Sequence, residues 1–169
     1  MLDSNDTSEP FVVIDKVDAH LFVVGSDGQV IGDTPVLLGA AKGDDSVPGI
    51  GERPIANIRP FERTTPAGRF MASAGLNAQG EDIVWVDYNA AISMHRLRIV
   101  NPRERRMQRL ASPTAADNRI SYGCINMSPE FFDSVVAPLF RRGPHLVYVL
   151  PERTEMGHVS HWASSKPPS

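Results

Sequence analysis

Phe11-Val12-Val13-Ile14 and His20-Leu21-Phe22-Val23-Val24-Gly25-Ser26-Asp27-Gly28-Gln29-Val30-Ile31 decide the fold class. Both apolar runs consist largely of β-branched and aromatic side chains, which suit a pleated, half-buried surface. Gly25-Ser26-Asp27-Gly28 is turn chemistry, because glycine and aspartate accept positive φ. Gln29-Val30-Ile31 is therefore expected to return as the second arm of a hairpin. Working outward, residues 35–40, 69–72, 83–88, 91–100 and 145–150 read as further strands. Residues 42–63 hold many Gly, Pro and Asp and predict a long surface loop, a length that usually carries function or motion.

Two helices are expected. Ser128-Pro129-Glu130 supplies a hydroxyl cap, a proline at the first helical position and an acid at the positive end of the dipole. Phe131, Phe132, Val135 and Val136 follow at helical spacing, so this helix should pack on the sheet. The second spans 102–111, with Met107, Leu110 and Ala111 as a narrow apolar stripe. Many strands and few helices predict a mainly β fold, a sandwich or barrel. The expected domain is 11–150, between a polar tail at 1–10 and another at 151–169.

A chain of 169 residues suits one domain, and 41% hydrophobic with 22% charged residues excludes wholesale disorder. Seventeen basic against twenty acidic residues, net −3, leaves no global nucleic-acid footprint. No apolar run approaches the roughly 18 residues that a membrane helix needs. Met1-Leu2-Asp3-Ser4-Asn5-Asp6 is polar and acidic, unlike a secretory signal. The protein is thus expected either to stay inside the cell or to have lost an export signal.

Cys124 is the single cysteine, so no internal disulfide can form. It lies in Arg119-Ile120-Ser121-Tyr122-Gly123-Cys124-Ile125-Asn126-Met127 and is either a small buried hydrophobe or a nucleophile. Composition alone favours the first. The second needs an accessible thiolate, a base, and backbone N–H groups for the oxyanion. His20, His145, His158 and His161 fall at strand ends or in the tail. His158 and His161, three apart, lack the neighbouring ligands of a metal site. His95 differs, because strand alternation puts Ser93, His95, Leu97 and Ile99 on one face and Met94, Arg96 and Arg98 on the other. A histidine sharing a face with Leu97 and Ile99 reads as a core residue unless Cys124 is its spatial neighbour.

Taken in order, these residues resemble the catalytic domain of the L,D-transpeptidase family. Thr64-Thr65-Pro66-Ala67-Gly68-Arg69-Phe70 is similar to its Thr-Pro-x-Gly turn before a strand, and His95 to its upstream histidine. Ser121-Tyr122-Gly123-Cys124-Ile125-Asn126 is similar to its Ser/Thr-His-Gly-Cys-hydrophobic-Asn/Arg motif. The resemblance covers residues 11–150, and three ordered landmarks are far more specific than Gly-Cys alone. Papain-like peptidases place cysteine before histidine, the reverse of the order here.

Three departures stand out. Tyr122 occupies the place of the motif histidine, which leaves His95 as the imidazole partner. Arg96 occupies the place of a Gly, Ser or Thr whose carbonyl orients the histidine ring in the family. Cys124 follows His95 by 29 positions, more than is usual in the family. The added chain, 101–118, carries Arg103, Arg105, Arg106 and Arg109 and should emerge beside the site. It reads as a lid, as a basic wall for substrate carboxylates, or as a solvated charged helix face.

The resemblance implies a β-sandwich or barrel-like fold with one or two short helices. It implies acyl transfer on peptidoglycan stem peptides, with Cys124 as nucleophile, His95 as base and a thioester formed on Cys124. It assigns oxyanion and orienting roles to Ser121, Tyr122, Gly123 and Arg96, and substrate contacts to Arg119, Asn126 and Met94. It implies no metal, nucleotide or other cofactor, and no nucleic-acid or membrane-spanning partner; carbapenem-type inhibitors are expected ligands. The expected location is the cell envelope or periplasm. The alternative, which Tyr122 and Arg96 favour, is a wall-binding module that kept the fold without the chemistry.

Overall fold

Residues 8–152 are described in a computed structural model. The hairpin expected at the start is present as β1 (Phe11–Asp15), β2 (His20–Val24) and β3 (Val30–Pro35), with Gly28 at φ +82 in the turn. The remaining strands of the main sheet are β5 (Gly68–Leu76), β6 (Asp82–Asp87), β7 (Ile92–Arg96), β9 (Ile125–Met127) and β10 (His145–Val149). Their order is β3-β2-β1-β10-β5-β6-β7-β9. A short pair, β4 (Leu38–Gly39) with β8 (Arg119–Ser121), lies beside it. Leu37, just past β3, exchanges backbone hydrogen bonds of 2.8 and 3.0 Å with Asn126 on β9, the opposite edge. Joining the two edges in this way curls the sheet into a nearly closed barrel and removes exposed ladder groups. The fold is mainly β with short helices.

The inner face is apolar: Val12, Ile14, Leu21, Val23, Val84, Met94, Ile125 and Val147 are all essentially inaccessible. One helical segment fills it. Ser128 Oγ accepts from the Phe131 N–H, and α2 (Pro129–Phe131) runs through a π turn (Phe132–Val136) into α3 (Ala137–Arg141). Pro138 has no N–H to give the Ser134 carbonyl, and widening to i→i+5 relieves the clash its ring would cause. Of the four residues expected to pack on the sheet, Phe132 and Val136 are buried and Phe131 and Val135 partly buried against the same core, which Leu139 and Phe140 extend.

Other expectations need correction. The strand expected at 91–100 ends at Arg96, because its neighbour β9 has only three residues; the last bond runs from Leu97 N to Met127 O. Ile99 is 66% exposed and does not share the buried face with His95. The strand expected at 35–40 is divided among three neighbours: Pro35 ends β3 opposite His20, Leu37 bridges to Asn126, and Leu38–Gly39 pairs with β8. The helix expected at 102–111 is split by Arg105 at φ 51 into a 3₁₀ turn (Pro102–Glu104) and α1 (Arg106–Ala111). Of its expected stripe only Leu110 is buried, against Leu37 and Leu97, while Met107 and Ala111 face solvent.

The long loop at 42–63 is organised by three 3₁₀ turns, Ile50–Glu52, Ile55–Asn57 and Pro60–Glu62. Arg53 forks onto both oxygens of Glu62 at 2.8 and 3.2 Å, and Glu62 also accepts from Arg59 N. The Arg53 guanidinium holds the Glu62 carboxyl below the usual carboxylate range. A second anchor lies at the loop's base. Lys16 is fully buried and donates to the Gly43 carbonyl, to Asp44 Oδ1 and to the Thr65 carbonyl, each at 2.7 Å. Glu152, which the sequence assigns to a tail, accepts from Gly43 N and pairs with Arg119.

Candidate active site

The motif folds as a strand, a turn and a strand. Between β8 and β9, Ser121 Oγ donates to the Cys124 carbonyl at 2.6 Å and accepts from Gly123 N at 3.1 Å. Gly123 sits at φ +128, and a Cβ there would lie 2.7 Å from the Thr64 carbonyl oxygen. Both facts require glycine: the left-handed φ disfavours any side chain, and the Thr64 backbone already occupies the space. Thr65, fully buried, ties this turn to its surroundings. Its Oγ1 donates to the Gly123 carbonyl at 2.7 Å and accepts from Gly39 N at 2.9 Å. Thr65→Val should leave both backbone groups buried and unpaired and lower stability by about 2–3 kcal/mol, read as the urea midpoint.

β7 and β9 run parallel, with Met94 beside Ile125 and His95 beside Asn126. One step further along this register Ser93 stands beside Cys124, and their Oγ and Sγ atoms are 3.6 Å apart. Ser93 and His95 share a face, so Cys124 and His95 are diagonal neighbours on it. Strands about 4.8 Å apart and a two-residue rise of about 6.6 Å put their Cα atoms about 8 Å from one another. That is within the combined reach of an imidazole and a thiol. The Cys124 thiol is partly exposed and donates to the Ala91 carbonyl at 3.5 Å. Ala91 itself closes the turn before β7 at φ 56, with its N–H donating to the Tyr88 carbonyl at 3.1 Å.

His95 is oriented by its own neighbour. Its Nδ1 lies 2.7 Å from the Arg96 carbonyl, which can only accept; Nδ1 therefore carries the proton and Nε2 is the basic nitrogen. The Arg96 side chain points elsewhere, to Asp82 at 2.7 Å, to Asp133 at 2.6 Å and over the Phe132 ring. Arg96 thus clamps the helix to the sheet and offers the site only its backbone.

Burial pushes the His95 imidazole down to about 4; the Arg96 carbonyl opposes this, Arg98 and Arg106 add to it, and Glu81 partly offsets them. The folded ring refuses a proton that the unfolded chain takes up near 6.5. The stabilisation is complete above that value and is lost as the pH falls through 4, in all about 3 kcal/mol. From pH 7 to pH 4 the unfolding free energy of the parent chain, from urea titrations, should fall relative to that of His95→Gln by that amount.

Several residues expected at the substrate lie elsewhere. Met94 is fully buried on the opposite, inner face, as strand alternation requires of a neighbour of His95. Arg119 is buried by its pairing with Glu152 and a 2.7 Å bond to the Lys16 carbonyl. Asn126 is 1% exposed beside His95, its side-chain amide without a hydrogen-bond partner among the described residues. Gly123 N is already engaged by Ser121, so it is not open to an oxyanion. Tyr122 is partly exposed, and its ring lies under the Arg63 guanidinium at 4.1 Å. His158 and His161 fall outside the described residues. The sequence named Ser93 only as sharing the face of His95 and Thr65 only within the turn before β5, and gave neither a role at the site; the two hydrogen bonds of Thr65 Oγ1 leave no local signal.

No protein-family model matches the chain, and no curated protein matches it. Solved structures similar to it include L,D-transpeptidases. The L,D-transpeptidase from Mycobacterium smegmatis is 18% identical with a TM-score of 0.48, over 84% of this chain and 58% of that one. The catalytic domain of the E. faecium L,D-transpeptidase is 18% identical with a TM-score of 0.48, over 85% of this chain and 98% of that one. L,D-transpeptidase 3 from Mycobacterium tuberculosis, solved with a faropenem-derived adduct, is 15% identical with a TM-score of 0.49, over 85% of this chain and 60% of that one. The chain therefore spans 58% of the length of the M. smegmatis protein.

Proposed function

We propose that this chain is a cysteine-dependent L,D-transpeptidase acting on peptidoglycan stem peptides. The observation that supports the chemistry is the shared face of Ser93, His95 and Cys124, with Nδ1 of His95 held by a carbonyl and Nε2 left basic. The substrate class comes from the ordered resemblance of Thr64–Phe70, His95 and Ser121–Asn126 to that family.

At rest the His95 imidazole is neutral. Nε2 of His95 takes the Cys124 proton as Sγ attacks the carbonyl between the L-centre and the terminal D-residue. The tetrahedral oxyanion is met by backbone N–H groups of the turn, for which Tyr122 and Cys124 are the candidates, each worth up to about 3 kcal/mol. Collapse breaks the C–N bond, the imidazolium returns the proton to the departing amine, and a thioester remains on Cys124. An acceptor amine then completes transfer; water would make the enzyme a carboxypeptidase. Because the ring stays neutral down to about 4, the acid limb of kcat/KM should fall near that pH and not near 6.5.

Incubation with tetrapeptide stems or a carbapenem, followed by intact-mass spectrometry, tests the reading. A covalent adduct on Cys124 is expected. Folded protein that never acquires one, yet binds wall peptide, is the result expected of a non-catalytic module.

A further inference from the structure

We propose that Arg63 and Tyr122 form a carboxylate-binding site beside Cys124. Tyr122 belongs to the same three-residue turn as Cys124, and its ring is the platform for the Arg63 guanidinium, 4.1 Å from the centroid. The rest of the guanidinium is fixed by the Ile58 carbonyl, which accepts from Nε at 3.3 Å and from Nη2 at 3.2 Å. Of five N–H donors, two are used in this way, and both partners are uncharged. The neighbouring acid, Glu62, is already forked by Arg53 and does not neutralise Arg63. A planar cation stacked on an aromatic face and braced from one side is preorganised for a second, anionic partner.

The attachment of Arg63 to the site is rigid. The chain passes directly from Arg63 to Thr64, whose carbonyl abuts Gly123, and to Thr65, which bonds the Gly123 carbonyl. Arg63 also gives its own carbonyl to Ala41 N at 3.0 Å. The backbone that carries Arg63 therefore cannot move away from the turn without breaking the support of Gly123, and the guanidinium is held by the Ile58 carbonyl and the Tyr122 ring. This gives the departure at Tyr122 a physical purpose: a phenol ring is a poor base but a good face for a guanidinium.

The proposal deepens the transpeptidase reading, in which the ligand is a carboxylate of the stem peptide, yet one arm of its test is independent of that reading. Cys124 is alkylated with iodoacetate and, separately, with iodoacetamide, reagents that differ in carrying a carboxylate or an amide. In the parent chain Arg63 should favour the anion, and the ratio of the two rates should fall about tenfold in Arg63→Gln and in Tyr122→Ala. Raising salt should reduce the parent ratio toward that of the variants. An unchanged ratio in Arg63→Gln, with Cys124 still alkylated, overturns the site. The second arm compares tetrapeptide stems bearing free and amidated carboxylates; Arg63→Gln should raise KM for the free acid only. If no stem acylates the parent chain, the transpeptidase reading fails while the alkylation ratio still decides the fate of Arg63.

Discussion

Cys124→Ala should abolish acyl-enzyme formation altogether, and His95→Gln should lower kcat/KM by 10²–10⁴-fold, about the range contributed by a positioned general base. The two effects differ because the roles differ. Without Sγ no thioester can form; without Nε2 the thiol must lose its proton to water. The double variant should be no worse than Cys124→Ala, since both residues act on one step. Circular dichroism and urea midpoints should leave Cys124→Ala close to the parent, for its side chain is partly exposed and held by single weak contacts to Ser93 and Ala91. Full turnover in either single variant sinks the assignment.

The largest stability effect is expected at Lys16, remote from the chemistry in sequence. Its three ammonium protons are all spent, on Gly43, Asp44 and Thr65, and the group has no access to water. Lys16→Met keeps the aliphatic stem and removes the charge. The Asp44 carboxylate then loses its cation, and Glu152, 3.7 Å from the ammonium, keeps only Arg119. Removing one partner from a buried pair costs about 3–5 kcal/mol, and at roughly 2–4 °C per kcal/mol Tm should drop by about 10 °C. Adding Asp44→Asn to Lys16→Met should recover part of the loss, because it also removes the carboxylate charge that the ammonium faced. Since Lys16 holds the Thr65 carbonyl and Thr65 holds Gly123, the variant should also slow Cys124 acylation at temperatures where it is still folded. A Tm within about 2 °C of the parent, by the scale just given, would mean that the network is idle.

Local chemistry was enough to read much of this from the chain. The hairpin at Gly25–Gly28, the cap at Ser128 and the apolar spacing of Phe132 and Val136 all concern groups within a few residues of one another. The face shared by Ser93 and His95 is of the same kind, because strand alternation is a property of a single strand. What escaped were events at chain ends and between distant segments. Ile99 left its expected face because β9, a neighbour far along the chain, runs out of residues. Met94 and Arg119 looked available to substrate until packing enclosed one in the core and a Glu152 partner enclosed the other.

The sequence by itself determined the β character and the helix start and named Cys124 and His95 as the candidate pair, since propensity, capping and residue type are local. Only the tertiary structure decided that His95 and Cys124 lie on one face, because that rests on a parallel register between β7 and β9 and on the Leu37 bridge that closes the barrel. It also decided the side-chain hydrogen-bond partners of Lys16, Thr65 and Arg63, which lie between 5 and 58 positions away. Hydrogen bonds and ion pairs of that span leave no periodic trace along a chain, because nothing but the folded geometry sets which groups must be satisfied together.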